Sequence, residues 1–197
     1  MTYDINFINR WLSSFKDVIV KEEHFISDLD AAIGDADHGF NMAKGMTNFE
    51  LSLQKTPAKN PADAFMKLAM AMLSKVGGSS GPLYGSAFMA MSKALKGKDE
   101  FTLADFAKAV SDGLVAIEAR GRSKEGEKTM DDVWGPVSRA LTAGALTVED
   151  VDKFVNATAP IKATKGRASY VGDRSIGHVD PGSYSSGLFF KTFLTTK

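Results

Sequence analysis

The chain has 197 residues, enough for one large domain, and its 44% hydrophobic content can supply a buried core. Its 24 basic residues balance 24 acidic ones, which gives no electrostatic case for a nucleic-acid or anionic-membrane partner. Cysteine is absent, so disulfides and thiolate metal sites are excluded, and a reducing compartment fits.

The N-terminal stretch "MTYDINFINRWLSSFKDVIV" interleaves Asp4, Asn9, Arg10 and Lys16 with apolar residues, so it reads neither as a secretory signal nor as a membrane span. A cytoplasmic, globular protein is the expectation. In that same stretch Ile5, Ile8, Trp11, Leu12, Phe15, Val18 and Ile19 follow the three-and-four spacing of a helix face. Met42, Met46, Phe49 and Leu53 mark a second helix. Asn60 and Pro61 open a third as N-cap and first-turn proline, and "PLYGSAFMAMSKALKG" is a fourth, ended by Gly97. Thr102 and Asp105 frame the start of a fifth running towards Arg120. "MDDVWGPVSRALTAG" is a sixth, with a Gly-Pro pair expected to kink it. Thr147 and Asp150 open a seventh, and "SYSSGLFFKTFL" closes the chain as an eighth. No alternating strand pattern stands out. Residues 1–197 therefore read as a single all-α domain, an up-and-down bundle of eight antiparallel amphipathic helices.

The links then become informative. Those after the second, fourth and sixth helices are short: "TPAKN", "GKDEF" and "AGALT". Those after the first, third, fifth and seventh carry glycines and functional groups: "GDADHG", "VGGSSG", "RGRSKEGEKT" and "TKGRASYVGDRSIGHVDPG". Short links make neighbouring helices antiparallel, which puts all odd-numbered links at one end of the bundle. The four unusual loops are thus expected to form one composite site.

The first of these loops gathers Asp30, Asp35 and Asp37 around Gly34 and Gly39. Carboxylates are hard ligands suited to Mg²⁺, Ca²⁺ or Mn²⁺, but the spacing is not that of a calcium-binding EF-hand. Little neutralising charge lies near them in sequence. Turn residues and a helix-end surface charge would produce the same letters, so both readings stay open on these residues alone. His38 follows the cluster directly and precedes a helix start.

"VGGSSG" sets glycines and Ser79–Ser80 before a helix, where backbone N–H groups and the helix dipole favour an anion. It lacks the Lys-Ser/Thr of a Walker A loop. Taken alone it is a flexible turn; beside the aspartates it reads as a phosphate cradle. In "RGRSKEGEKT", Arg122 and Lys124 read as solvated charges, while Gly121 and Met130 could wall a bound base. The last link, with Lys165, Arg167, Arg174, His178 and Asp180, is long for an unstructured loop, and Tyr170, Val171 and Ile176 argue against disorder. The physical reading ends at a helical bundle binding a Mg²⁺–phosphate group at one end. Phosphoryl transfer needs chiefly positioning and charge stabilisation, which such a site supplies.

Four stretches carry a resemblance. "IGDADHGFNMAKG", "KVGGSSGPLYGSAF", "GEKTMDDVW" and "ATKGRASYVGDRSIGHVDPG" resemble, in order, the metal motif, phosphate loop, third loop and long fourth loop of the nucleotide-binding L subunits of dihydroxyacetone kinase. The resemblance spans nearly the whole chain. It implies a barrel of eight antiparallel helices with ADP or ATP at one rim. Asp30, Asp35 and Asp37 would hold two Mg²⁺ ions on the nucleotide phosphates, as metal ligands and as the catalytic centre. His38, Gly39, Phe40, Asn41, Ser79 and Ser80 would contact phosphates. Gly121 and Met130 would line the base site, and Arg167 with Asp180, Pro181 and Gly182 would complete the pocket.

It further implies a cytoplasmic phosphotransferase in which bound ADP is rephosphorylated by a phosphohistidine-carrying partner of the phosphotransferase system. The resulting ATP would phosphorylate dihydroxyacetone held by a separate K subunit, for which the 197 residues leave no room. No nucleic-acid or membrane partner is implied. An ATP-dependent form with exchangeable nucleotide and a non-catalytic adaptor are the alternatives. One departure is visible: Ala36 stands where the family has glycine, which would strain the loop if position 36 needs a positive φ.

Overall fold

The computed structural model describes residues 2–197, of which most are helical. Among them, nine α-helices and one 3₁₀ segment are found, where the periodicity gave eight helices. The first helix, α1, spans Ile5–Lys21 and starts where the Asp4 carboxylate accepts the Phe7 N–H at 2.8 Å. The additional helix is α2, Glu23–Ile33. Its buried face is Ile26, Ser27, Asp30 and Ile33, so half of that face is polar and the hydrophobic period is erased. The polar half is there because that face supports the site described below.

Helices α1 and α2 make few contacts with each other, and the helical hydrogen bonds run on through the bend. Glu22 N–H donates to the Val18 carbonyl at 2.9 Å, and Ile26 N–H donates to the Glu22 carbonyl at 2.9 Å. The two act as one bent rod. Counted as one pass, it leaves the alternation of ends intact, so the convergence of odd-numbered loops survives the corrected helix count.

The remaining helices are α3 (His38–Lys55), α4 (Pro61–Lys75), α5 (Ser80–Ala94), α6 (Leu103–Gly121), α7 (Asp131–Thr142), α8 (Val148–Asn156) and α9 (Pro181–Thr195). Each packs on its successor, and α1 packs on both α3 and α9, so the ring closes. Two-residue strands β1 (Thr2–Tyr3) and β2 (Phe101–Thr102) pair antiparallel beside the closure. Inside lie Trp11, Phe106, Phe189 and Phe193, with Trp11 Nε1 donating to the Phe189 carbonyl at 3.1 Å so that its one polar atom is not orphaned. Helix α7 continues through Pro136, which costs it one internal hydrogen bond without ending it.

Capping boxes start α6 at Thr102–Asp105 and α8 at Thr147–Asp150, with the aspartates acting as the reciprocal acceptors. The long fourth link is ordered into the 3₁₀ segment Arg167–Ser175, broken at Gly172. Val171 packs on a small cluster of Ile33, Ala163 and Ala168. Tyr170, in contrast, is 86% exposed and Ile176 is 47% exposed, so of these three residues it is Val171 that packs. Among the described residues no helix is long and apolar enough to cross a membrane.

Candidate functional site: one end of the helical barrel

The site begins with Asp30 in the last turn of α2. Its Oδ2 accepts the backbone N–H groups of Asp37 at 3.0 Å and His38 at 3.1 Å, and this folds residues 34–37 back over the helix end. As a result Asp30, Asp35 and Asp37 each place one carboxylate oxygen within 4.8 Å of the others, Asp30 buried and the other two reached by solvent. Burial raises the Asp37 carboxyl above its usual range, and the charges of Asp35 and Asp30 add to that; the Asn41 amide and Arg167 oppose it. A divalent cation would relieve this repulsion, and three clustered oxygens fit a hard ion that keeps water and phosphate in its other positions. The loop reaches this shape with Ala36 at φ 64°, the left-handed conformation suspected from the missing glycine.

One expectation about this cluster is corrected. Asp35 is neutralised, by Arg167 at 2.7 Å, from the far end of the chain. Sequence proximity could not reveal a partner that only the ring closure brings near.

The second loop ends at α5. Gly78 takes φ 64°, and among the described residues the N–H groups of Ser79, Ser80 and Gly81 have no hydrogen-bond acceptor. Three unpaired donors at the positive end of a helix form an anion cradle. Gly81 cannot carry a side chain, because a Cβ there would strike the Val76 carbonyl.

The third loop is shaped by Asp132, whose carboxylate accepts the N–H groups of Gly126 at 2.5 Å and Thr129 at 2.8 Å. Lys128, hidden in a run that reads as solvated charge, is 1% exposed at φ 61°. Its ammonium donates to the carbonyls of Thr158, Ala159 and Ile161 at 2.8, 3.2 and 3.0 Å, which ties the third loop to the segment after α8. No sequence signal separates it from the exposed lysines beside it.

In the fourth loop Asp180 caps α9, accepting the Ser183 N–H at 2.7 Å, while its own N–H donates to Thr158 Oγ1 at 3.1 Å. Burial pushes the Asp180 carboxyl up to about 7, against the stabilising bonds from Ser183 and the Lys128 charge. His38 is driven the other way: burial holds its imidazole down to about 4, so it is neutral near pH 7.

These four loops wall one pocket. Asp30, Asp35, Asp37, His38, Ser79, Ser80, Met130, Arg167, Asp180, Pro181 and Gly182 all line it, and Leu83, Tyr84 and Lys128 join them. Four expected residues lie outside the lining. Gly39 packs against the Glu23 carbonyl with no room for a Cβ. Phe40 faces solvent and stands edge-on to His24 at 5.1 Å. Asn41 faces Gly77 and bonds Asp37, and Gly121 closes α6 behind Leu83.

The sequence profile of the DAK2 domain matches residues 32–195. The chain belongs to that family. It is 47% identical, over 100% of its length and 99% of the relative, to "PEP-dependent dihydroxyacetone kinase 1, ADP-binding subunit DhaL" of Listeria innocua. It is 45% identical to "PTS-dependent dihydroxyacetone kinase, ADP-binding subunit DhaL" of Lactococcus lactis, over 93% of each chain. Among solved structures it is similar to the dihydroxyacetone kinase of C. freundii in its native form, with TM-score 0.73 and 25% identity, over 92% of this chain and 33% of that one.

Proposed function

We propose that this DAK2 protein is the ADP-binding subunit of a phosphoenolpyruvate-dependent dihydroxyacetone kinase, a phosphotransferase. The nucleotide phosphates sit between the carboxylates of Asp30, Asp35 and Asp37 and the N-terminus of α5. The observation that carries this reading is the convergence, on one pocket, of three carboxylates and three unpaired helix N–H donors from distant parts of the chain. High identity to relatives named as ADP-binding subunits supports the nucleotide. The carboxylates would hold Mg²⁺, in the two-ion arrangement that the family resemblance implies, and the metal would neutralise charge on the transferred phosphoryl group. Met130, with Leu83 beside it, offers an apolar wall to the base, and Arg167 and the Asp180–Gly182 turn close the pocket.

In the cycle we favour, ADP stays bound, takes a phosphoryl group from a phosphohistidine-carrying partner, and passes it as ATP to dihydroxyacetone on a K subunit in the cytoplasm. The names of the relatives, which specify phosphoenolpyruvate or the phosphotransferase system, support this over free nucleotide exchange. The test is to denature purified, extensively dialysed protein and measure what is released. Bound ADP supports the coenzyme cycle; none, together with rapid exchange of added ATP, shifts the assignment to an ATP-dependent subunit. A reconstituted transfer assay with Asp35→Asn separates catalysis from an adaptor role, since unchanged transfer contradicts the metal-binding assignment.

A further inference from the structure

Three lysine and arginine side chains line the pocket: Lys128, Lys165 and Arg167. Two of them are already engaged. The Lys128 ammonium donates to three carbonyls, and three donors are all that it has. Arg167 has its charge answered by Asp35 at 2.7 Å. Among the described residues, Lys165 is the one lining cation whose side chain has neither an ion-pair nor a hydrogen-bond partner.

The backbone that carries this lysine is nevertheless fixed. Ala163 N–H donates to Ser175 Oγ at 2.9 Å, and Thr164 N–H donates to the Glu127 carbonyl at 3.2 Å. Ala163 and Ala168 pack on Ile33, the last residue of α2 before the carboxylate loop. Gly166 follows at φ 65° and ψ −168°, a conformation essentially confined to glycine, and its carbonyl accepts the Ser169 N–H at 3.3 Å. Lys165 is thus rooted in the wall between the third loop and the carboxylate cluster. Its four-carbon stem is half-buried and its ammonium untied.

A rooted but untied cation suits a ligand group that comes and goes. The N–H donors at the start of α5 belong to a rigid helix end and cannot follow such a group. The carboxylates of Asp30, Asp35 and Asp37 have the wrong sign to meet phosphate directly, and only one of them is answered by a guanidinium. A terminal phosphate adds further negative charge to this wall. Lysine, a compact point charge on a flexible stem, can track that group and bond it with charge assistance. We propose that Lys165 is the cation that meets the terminal phosphate of the nucleotide, the group that is transferred.

This rests on the nucleotide reading above, and the test separates the two. Calorimetry of nucleotide-free protein in Mg²⁺, with AMP, ADP and non-hydrolysable AMP-PNP, reads each phosphate in turn. Lys165→Met keeps the apolar stem and removes the charge. It is expected to leave AMP affinity unchanged, to weaken ADP by no more than about twofold and to weaken AMP-PNP by about tenfold. Lys165→Arg restores the charge and should recover most of the AMP-PNP loss. Since the ammonium has no protein partner to lose, both variants should keep the wild-type urea midpoint.

Equal loss for all three nucleotides, with or without a lowered midpoint, makes Lys165 a structural residue and overturns the proposal. Unchanged AMP-PNP affinity makes it a solvated lysine, and an ADP loss as large as the AMP-PNP loss puts it on an inner phosphate; both results contradict the proposal. Wild-type protein that binds neither ADP nor AMP-PNP refutes the nucleotide reading itself. Wild-type binding beside an indifferent Lys165→Met refutes the role of Lys165 alone.

Discussion

The loop that carries the carboxylates holds alanine in a backbone region that suits glycine. Ala36 sits at φ 64°, and relief of that strain outweighs the extra chain entropy of glycine. Ala36→Gly should therefore raise unfolding stability by about 0.5–1 kcal/mol in urea titrations, and a less stable variant would contradict the strain. Asp180 supplies a pH signature. Burial raises its folded carboxyl to about 7, well above the value it takes in the unfolded chain. Between about pH 4 and pH 7 the native state thus holds the extra proton, and the Asp180 contribution to stability falls as pH rises through that window. Asp180→Asn keeps the cap on α9 and should remove this component, so that the variant gains stability relative to wild type from pH 4 to pH 7; a flat difference would refute the buried, raised carboxyl. Sequence spacing was enough to single out Asp30, Asp35 and Asp37, and the missing glycine at 36. It could not show that the His38 ring turns inward to Ser80 and Ser185, or that Phe40 turns outward, because side-chain direction at a helix start is decided by what packs there.

At the scale of elements, helices with a uniform apolar face were legible and those whose buried face serves the site were not. The face of α1 is Phe7, Ile8, Trp11, Leu12, Phe15 and Ile19, which any periodicity argument finds. The face of α2 includes Ser27 and Asp30, and the helix is lost to such an argument. The third loop shows the same limit, since Lys128 is a buried tie from it to the segment after α8, which its place in a charged run does not reveal. Lys128→Met leaves three carbonyls without their donor and should destabilise the protein by about 2–4 kcal/mol. The same variant should weaken ADP binding, since Lys128 and the fourth loop share the pocket wall. Wild-type stability in chemical denaturation would show that the tie carries no load.

For the whole molecule, the alternation of plain and glycine-rich links located the site before any single motif could. It holds because α1 and α2 form one bent rod, so that the first loop still falls at the same end as the other three. The pairing of Arg167 with Asp35 is the product of that closure, joining the two ends of the chain at the pocket mouth. The central claim is that the carboxylate cluster binds a metal that in turn binds nucleotide. The direct measurement is calorimetric titration of nucleotide-free protein with ADP, in Mg²⁺ and in EDTA, for wild type and Asp37→Asn. Wild type should gain about tenfold or more in affinity from Mg²⁺, and Asp37→Asn should lose most of that gain while still folding. Equal ADP affinity in Mg²⁺ and EDTA for wild type, or an undiminished gain in Asp37→Asn, would contradict the account.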